Sequence, residues 1–246
     1  MMNDIELLKP SKRGDKGGQV RLIQEWLCLH GHHISIDNDF GPATETAVKE
    51  FQVRKELGAS GVVDNDTFAR LVAPMRAALE PILRESQSLG ELVVAYGQRH
   101  LQQHPREIGG QNKGPWVRLY MDGNEGTQWA WCAGFVCYLL KQAANTLGVS
   151  LPITPSFSCD ALAASAKGKG RFLSESSGVT SGEISPGSVF LVRKTSTDWT
   201  HTGIVTRAEA EVVRTIEGNT NDDGSREGYE VCARTRGYAG KDFIRI

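Results

Sequence analysis

Residues 129–140 read WAWCAGFVCYLL and stand where the helical patterns of this chain give way to strand patterns. Residues 126–148, which surround this stretch, carry apolar side chains at helical spacing and predict a helix. At about 100° per residue, Cys132 falls on the apolar arc of that helix, whereas Cys137 lies on its flank. The arc comprises Cys132, Val136, Leu139, Leu140, Ala143 and Leu147. We therefore expect the two thiols to have different surroundings.

The chain after this helix predicts one more helix and then a sheet. Residues 156–170 have a second helical pattern, and the segments beyond alternate apolar and polar residues between turn residues, which is typical of strands. The predicted strands are 187–194, 200–207, 211–218, 229–236 and 241–246. Because helices come first and strands follow without alternation, the pattern favours an α+β fold with an antiparallel sheet.

The chain before this helix has mainly helical patterns. Three short helices are predicted at 18–30, 41–58 and 64–72. Asn65 or Asp66 is the expected N-cap of the third. A connector of one or two helices follows, which Pro81 interrupts and Pro105 ends, and it lacks the Gly/Ser or Pro repeats of a flexible tether. The predicted units are an N-terminal domain (1–75), the connector or first helix of the next domain (76–105) and a C-terminal domain (106–246).

Composition excludes several classes of protein. The 246 residues are 39% hydrophobic and 23% charged, with a formal net charge of -1. Neither half is basic enough to predict a nucleic acid or an anionic membrane as the main partner. The first 18 residues lack the apolar core of a secretory signal, so we expect cytoplasmic synthesis without a signal peptide. Five cysteines without a C-x-x-C pair argue against a disulfide framework and a thiolate zinc site.

Three further clusters invite a metal, and each has a simpler interpretation. His30, His32 and His33 have no acidic or cysteine partner at ligand spacing and predict an exposed polar turn. The sequence DND, at 37–39 and again at 64–66, fits turn and cap chemistry. Residues 219–230 have the spacing of a calcium loop but strand-like flanks, so a hairpin loop is favoured over calcium. We therefore expect no metal and no cofactor.

The residues of the C-terminal half allow nucleophilic catalysis. Cys132 lies near the start of its helix, where the macrodipole and unpaired N–H groups favour a thiolate. His201 lies on a predicted strand, and Gly203 beside it leaves room for another group. Glu217 and Asn219, two residues apart on the next strand, can each orient an imidazole base. Trp199, two residues before His201, is our candidate for a wall that stacks on substrate.

Two stretches resemble known families. RGDKGGQVRLIQEWL, DFGPATETAVKEFQ and GVVDNDTFARL, within residues 8–73, resemble the three-helix peptidoglycan-binding domain. WCAGFV, HTGIV and IEGNTN, within residues 88–246, resemble the CHAP domain of papain-like cell-wall hydrolases. The second resemblance implies Cys132 as nucleophile, His201 as base and Glu217 with Asn219 as orienting residues. That family often has glutamine directly before the nucleophile, whereas here Trp131 does and Gln128, one turn earlier, is the candidate substrate-binding amide.

Together the resemblances imply a peptidoglycan hydrolase with an N-terminal wall-binding domain and a papain-like catalytic domain. We expect it to act as a monomer on the amide bonds of bacterial peptidoglycan in the cell wall, like a modular phage endolysin. A secreted antibacterial effector would have the same organisation, and a wall-binding protein without activity is the alternative of a different class. The bond cut, whether the muramoyl-L-alanine amide or one within the peptide, stays open.

Overall fold

The computed structural model describes residues 4–82, 87–175, 181–221 and 228–246. The helices in these ranges are α1 (Gly18–Leu29), α2 (Pro42–Arg54), α3 (Asn65–Leu71), α4 (Ala73–Leu79), α5 (Leu89–Gln102), α6 (Pro115–Tyr120), α7 (Cys132–Leu147) and α8 (Cys159–Gly168). The strands are β1 (Phe172–Leu173), β2 (Val189–Arg193), β3 (Trp199–Ala208), β4 (Val212–Thr220), β5 (Glu230–Gly237) and β6 (Lys241–Ile244). Helices precede strands, and the predicted α+β class is confirmed.

The strands form one antiparallel sheet in the order β1-β6-β2-β3-β4-β5. Helix α7 packs across β3 and β4, and α5 packs against α7 and β3. The connector helix α5 is therefore part of the layer that covers the sheet. The predicted elements omitted α6 and β1, because six and two residues are too few to show a periodic pattern.

The N-terminal helical unit is organised by buried glutamines as well as by its apolar core. The Gln24 Nε2 donates to Asp37 Oδ1 at 2.7 Å and to Thr44 Oγ1 at 3.1 Å. Its Oε1 accepts the backbone N–H groups of Asp37 and Asn38. The buried Gln24 side chain thus supplies the hydrogen bonds that the backbone at Asp37 and Asn38 does not obtain from a helix or a sheet. The DND sequence here serves turn chemistry, as predicted.

Two local predictions in this unit were wrong. The predicted N-cap of α3 was Asn65 or Asp66, whereas the side chain that caps it is Asp64, which accepts the Thr67 N–H at 2.8 Å. The helix begins at the next residue, Asn65. His30 and His32 do not form an exposed turn, because their rings pack against Phe51. His32 is only 7% exposed. The chain folds back after α1, a tertiary effect that local polarity does not reveal.

The N-terminal unit is joined to the rest of the protein by a group of partly buried charges. Arg118 of α6 donates to Asp4 at 2.8 Å, to Glu25 of α1 at 2.7 Å and to Glu125 at 2.8 Å. Burial lowers the pKa of this guanidinium, but its carboxylate partners outweigh burial and raise it. Trp26 and Trp116 meet edge to face beside this group, with ring centroids 6.3 Å apart. The N-terminal helices are thus packed on α6.

His100 of α5 lies at the centre of the second unit and is fully buried. Its Nε2 lies 2.9 Å from Gln142 Oε1 and its Nδ1 lies 2.8 Å from the Tyr120 hydroxyl. A neutral imidazole satisfies both contacts, donating to the amide oxygen and accepting from the hydroxyl. Burial lowers its pKa to about 4, so the ring is neutral in the folded protein at neutral pH.

We expect His100 to make the fold sensitive to acid. Because the folded pKa of about 4 lies below the ordinary 6.5, the unfolded chain binds this proton first. Stability that is present above pH 6.5 is then lost as the pH falls toward 4, by about 3 kcal/mol. Urea unfolding of the wild type and of His100→Gln at several pH values in this window measures the difference. Equal pH dependence in the two proteins would contradict this assignment.

No helix among the residues that the structure describes combines the length and the apolar character needed to cross a bilayer.

Candidate active site

Cys132 is the first residue of α7, and Trp131 is its N-cap. The predicted helix began earlier, at residue 126, so the structure places the thiol closer to the helix start than the pattern did. The Cys132 side chain is 6% exposed. A hydrogen bond from the Cys159 thiol lowers its pKa well below the ordinary value, with further contributions from His201 and the Ala133 N–H that outweigh burial. These neighbours favour the thiolate form of Cys132.

His201 lies on β3 beside this thiolate and is 6% exposed. Its Nε2 lies 2.9 Å from Glu217 Oε2, which leaves Nδ1 for the Cys132 sulfur, a neighbour that helps to raise the pKa of His201. Burial by itself lowers the pKa of His201. The thiolate and the carboxylate outweigh burial and raise the pKa to about 9, so the resting pair is thiolate and imidazolium.

Glu217 is completely buried on β4 and has more partners than the sequence indicated. Arg236 of β5 binds both of its oxygens, with Nε at 2.6 Å and Nη2 at 2.5 Å. The Thr215 hydroxyl donates to Oε1 at 2.5 Å. Burial raises the pKa of Glu217, but Arg236 and His201 outweigh it and hold the pKa at about 2. The carboxylate that faces His201 is thus permanently charged.

Gly203 explains how these side chains fit between the strands. A Cβ at this position would lie 2.8 Å from Ile216 O and 2.9 Å from Glu217 Cγ, closer than real Cβ atoms come. The sequence analysis predicted that this glycine clears space beside His201. The structure shows that the stem of Glu217 occupies the space, because β3 and β4 pair directly here.

The structure separates Asn219 from Glu217, which the sequence analysis placed on one face. A bulge between Glu217 and Thr220 shifts the register of β4 against β5, and Asn219 has a left-handed backbone with φ of 55°. Its Oδ1 accepts the Trp131 N–H at 2.8 Å, and its Nδ2 donates to Gly228 O at 2.6 Å. Asn219 therefore holds the N-cap of α7, and the residue that contacts the His201 ring is Glu217.

The two predicted substrate-binding residues lie in different settings. Gln128 is exposed in the turn before α7, and its predicted role in substrate binding stays a prediction. Trp199 is 6% exposed, its Nε1 donates to Asp242 Oδ2 at 2.8 Å, and Lys167 Nζ lies 4.5 Å from its ring centroid. The predicted stacking of Trp199 on substrate would require Lys167 to move.

Sequence reasoning missed two polar neighbours of this site. Cys159, the first residue of α8, contacts Cys132, and Arg236 binds Glu217. The Ser158 N-cap that precedes Cys159 marks a second helix start at a cysteine, which is a weak signal in the sequence. No signal distinguishes Arg236 from the other basic residues of β5, because strand pairing decides which of them reaches the carboxylate.

A pair of half-buried aromatic rings lies close in sequence to both cysteines. Trp129 comes three residues before Cys132, and Phe157 comes two residues before Cys159. Their ring centroids are 6.1 Å apart in an edge-to-face arrangement. Such partly exposed rings are typical of sites that bind part of a ligand. The residue predicted from the sequence to stack on substrate was Trp199, not this pair.

No group of three or more His, Cys, Asp or Glu side chains suited to a metal ion occurs among the described residues. Residues 222–227 of the candidate calcium loop lie outside the described residues, so that alternative has no structural test. The expectation that the protein needs no metal or cofactor stays a prediction.

Comparison with known proteins identifies the N-terminal unit. Residues 16–71 match the model of the peptidoglycan binding domain family. The N-terminal helices thus form a peptidoglycan-binding domain. A search of curated proteins finds no significant match.

Three solved structures are similar to parts of the chain. The first, a fused Zn-dependent amidase/peptidase/peptidoglycan-binding domain-containing protein from Clostridium acetobutylicum, is 36% identical over 26% of this chain and 28% of its own, with a TM-score of 0.25. The SleB N-terminal domain is 29% identical over 26% of this chain and 90% of its own, with a TM-score of 0.26. A Burkholderia AP3 phage endolysin is 30% identical over 30% of this chain and 34% of its own, with a TM-score of 0.26. The chain thus spans about a third or less of the length of the first and third of these proteins.

Proposed function

We propose that this protein is a peptidoglycan hydrolase that cleaves an amide bond of the peptidoglycan peptide with Cys132 as nucleophile. The observation that carries the proposal is the 2.9 Å contact between His201 and Glu217 beside Cys132, which opens α7 and interacts with His201. A charged thiolate, an imidazolium acid and an orienting carboxylate are the components of acyl transfer by a cysteine enzyme. The peptidoglycan-binding domain at residues 16–71 supports the choice of substrate.

In the proposed reaction the Cys132 sulfur attacks the carbonyl carbon of the amide, and the carbonyl oxygen becomes an oxyanion. The intermediate collapses to a thioester while His201 Nδ1 gives its proton to the leaving amine. A water molecule then loses a proton to His201 and attacks the thioester, which returns the acid product and the thiolate. Glu217 keeps the ring oriented and stabilises the imidazolium in both steps.

The start of α7 also supplies stabilisation for the oxyanion. The first N–H groups of a helix have no partner within the helix and point toward its N-terminal end. The Cys132 N–H is one of them, and donors fixed in this way favour the charge that develops in the transition state. The exposed amide of Gln128 is the proposed second contact to substrate.

The packed arrangement of the two units gives wall binding a role in this reaction. Binding of the N-terminal domain to peptidoglycan raises the local concentration of substrate at Cys132, so weak affinity in each unit suffices. Because Arg118 joins α1 to α6 by partly buried ion pairs, the two units bind the wall as one body. We propose the bacterial wall as the place of action and the monomer as the active form.

Digestion of purified peptidoglycan by the purified full-length protein tests the proposed function. We expect new free amino groups to accumulate without new reducing sugar ends, and mass spectrometry of the released muropeptides to identify the bond cut. Release of reducing ends alone would indicate a glycosidase. No release of either kind from several wall types would leave only a binding function and reject the proposal.

The pH dependence of the reaction follows from the pKa of His201. We expect kcat/KM to stay level through neutral pH and to fall above about pH 9, because His201 then loses the proton that the leaving amine needs. Because the two groups titrate together, the apparent pKa of this fall belongs to the thiolate–imidazolium pair and not to His201 alone. A soluble muropeptide should serve as substrate, since the charge of intact wall changes with pH. Loss of activity below about pH 6.5 would instead indicate a neutral thiol activated by a neutral histidine.

A further inference from the structure

A cavity opens on the flank of α7, between this helix and the loop that leads to α8. Its volume is about 420 Å³, within the range of about 300–1,000 Å³ that is typical of ligand sites. The lining combines aromatic rings with one cation and one anion, and includes Tyr120, Asp122, Tyr138, Lys141 and Phe157. Aromatic walls with a few placed charges are typical of a site that binds and orients a small polar group.

The cavity lies within reach of a peptide held at Cys132. A helix rises about 1.5 Å per residue, so Tyr138 and Lys141 lie roughly 9 and 14 Å along α7 from the nucleophile. An extended peptide spans about 3.3–3.6 Å per residue, so an amino acid about three or four positions from the cut bond reaches this depth. Trp129, three residues before Cys132, contacts Phe157 with ring centroids 6.1 Å apart. This aromatic pair connects the segment before the nucleophile to the cavity wall.

The two charged groups of the cavity face each other. Lys141 Nζ lies 3.4 Å from Asp122 Oδ2, and the two side chains are 38% and 60% exposed. This distance is longer than that of an ordinary hydrogen bond, and an ammonium has three donors, so each group can bind a further partner of opposite charge. Burial, with a contribution from Asp122, raises the pKa of Tyr138 to about 12. The Tyr138 hydroxyl therefore keeps its proton and can donate to an anion.

We propose that this cavity binds an amino-acid group of the peptidoglycan peptide that carries both a free ammonium and a free carboxylate, as at the end of a diaminopimelate side chain. The inference rests on the proposed function, because it assigns a specificity site to the same reaction. The two charges of such a group are attached to one carbon, with the nitrogen and the carboxyl carbon roughly 2.5 Å apart. The carboxylate pairs with Lys141 and Tyr138 and the ammonium with Asp122, so that charges of opposite sign alternate.

The same charges disfavour closely related peptides. A lysine side chain presents an ammonium alone, which Asp122 attracts and Lys141 repels. Amidation of the diaminopimelate carboxylate removes the charge that Lys141 binds. Binding sites reject analogues by leaving a charge unpaired or by placing like charges together. We therefore expect the zwitterionic peptide to be preferred over both analogues.

Hydrolysis by the full-length protein of three soluble muropeptides, which carry diaminopimelate, its amidated form or lysine at this position, tests the site. We expect kcat/KM to be about 10-fold higher for the diaminopimelate peptide than for either analogue, because only it makes the charge-assisted contacts to Lys141. Lys141→Met should lower kcat/KM for the diaminopimelate peptide about 10-fold, mainly by raising KM. Its rate on the amidated peptide should stay within about two-fold of the wild type, which also shows that the variant is folded.

Lys169→Met is the matched control, because it removes an exposed lysine of the same unit that does not line the cavity. This variant should keep the preference of the wild type. Equal kcat/KM for the three peptides in the wild type would overturn the inference, and so would a preference that survives Lys141→Met.

Calorimetric titration of the same three peptides into Cys132→Ala measures the preference as dissociation constants, without hydrolysis. We expect about 10-fold tighter binding of the diaminopimelate peptide. A preference in binding by a protein that releases nothing from peptidoglycan would reject the proposed function alone. Hydrolysis of all three peptides without a preference would reject the specificity site alone.

Discussion

Replacement of Cys132 with alanine is expected to lower the rate of amide cleavage in peptidoglycan by about 10³-fold or more. The variant keeps its imidazole and its carboxylate but has no atom that can form the thioester. We expect binding to peptidoglycan to be unchanged, because the N-terminal helices do not include this residue. Amine release from purified peptidoglycan, at equal concentrations of folded protein, measures the loss.

Cys137→Ala is the control for this experiment, since Cys137 lies on the same helix and is also buried. Its thiol contacts the backbone of Ser156 and takes no part in the proposed reaction. We expect a rate within about two-fold of the wild type, as for a substitution away from the reacting atoms. Iodoacetamide should label Cys132 before Cys137, because only the former is a thiolate at neutral pH.

An unchanged rate in Cys132→Ala, with no preferential labelling of Cys132, would favour the alternative of a wall-binding protein without activity. The structure offers a physical reason against that alternative. A protein that only binds gains nothing from a largely buried thiolate and imidazolium, because removing two charges from water can cost more free energy than their mutual attraction returns. Perturbed pKa values of this kind concentrate at reactive sites.

Glu217→Gln is expected to lower kcat/KM by about 10²-fold or more at neutral pH. The amide leaves Cys132 as the only negative partner of His201 named at this site, so the pKa of the imidazolium falls below about 9. The alkaline limb of the pH profile should therefore move to lower pH. This shift distinguishes a residue that positions and charges the histidine from one that only supports the fold.

The same substitution is also expected to destabilise the protein, by about 3 kcal/mol. Arg236 would lose the carboxylate that binds both of its nitrogens and would be left as a largely buried, unpaired cation. The double variant Glu217→Gln/Arg236→Met removes that charge and should regain most of the stability measured by urea unfolding. The double variant should not regain activity, and the alkaline limb of its pH profile should stay at the lower pH expected for Glu217→Gln. Recovery of activity together with stability would show that Glu217 acts only through folding.

The individual elements were predictable from residue patterns, because each depends on neighbours within a few positions. The order of helices and strands and the α+β class follow from periodicity and turns. The peptidoglycan-binding helices were expected from the family resemblance within residues 8–73, and the family match at residues 16–71 confirms them. Cys132 and His201 could be proposed as partners from the position of one near a helix start and of the other on a strand. Some errors arose where a distant contact overrides the local signal, as at His32, and others where an element is too short to show a periodic pattern, as at α6.

The roles of Glu217 and Asn219 could not be separated from the sequence. Two polar residues at spacing two on a strand share a face only while the strand is regular, and the bulge after Glu217 breaks that rule. Bulges depend on how two strands pair, and pairing involves residues far apart in the chain. The sequence therefore allowed either residue to orient His201. Strand pairing directs Glu217 toward His201 and Asn219 toward Trp131.

The order of residues along the chain specifies which groups can carry charge and form bonds, and which segments become helices and strands. Packing of these segments against one another then brings particular groups together. Cys159, 27 positions after Cys132 in the printed sequence, and Arg236, on a different strand from Glu217, reach the site because α8 packs on β3 and β5 pairs with β4. The physical reason is that pKa values and reactivity depend on distances of a few ångströms, which packing sets.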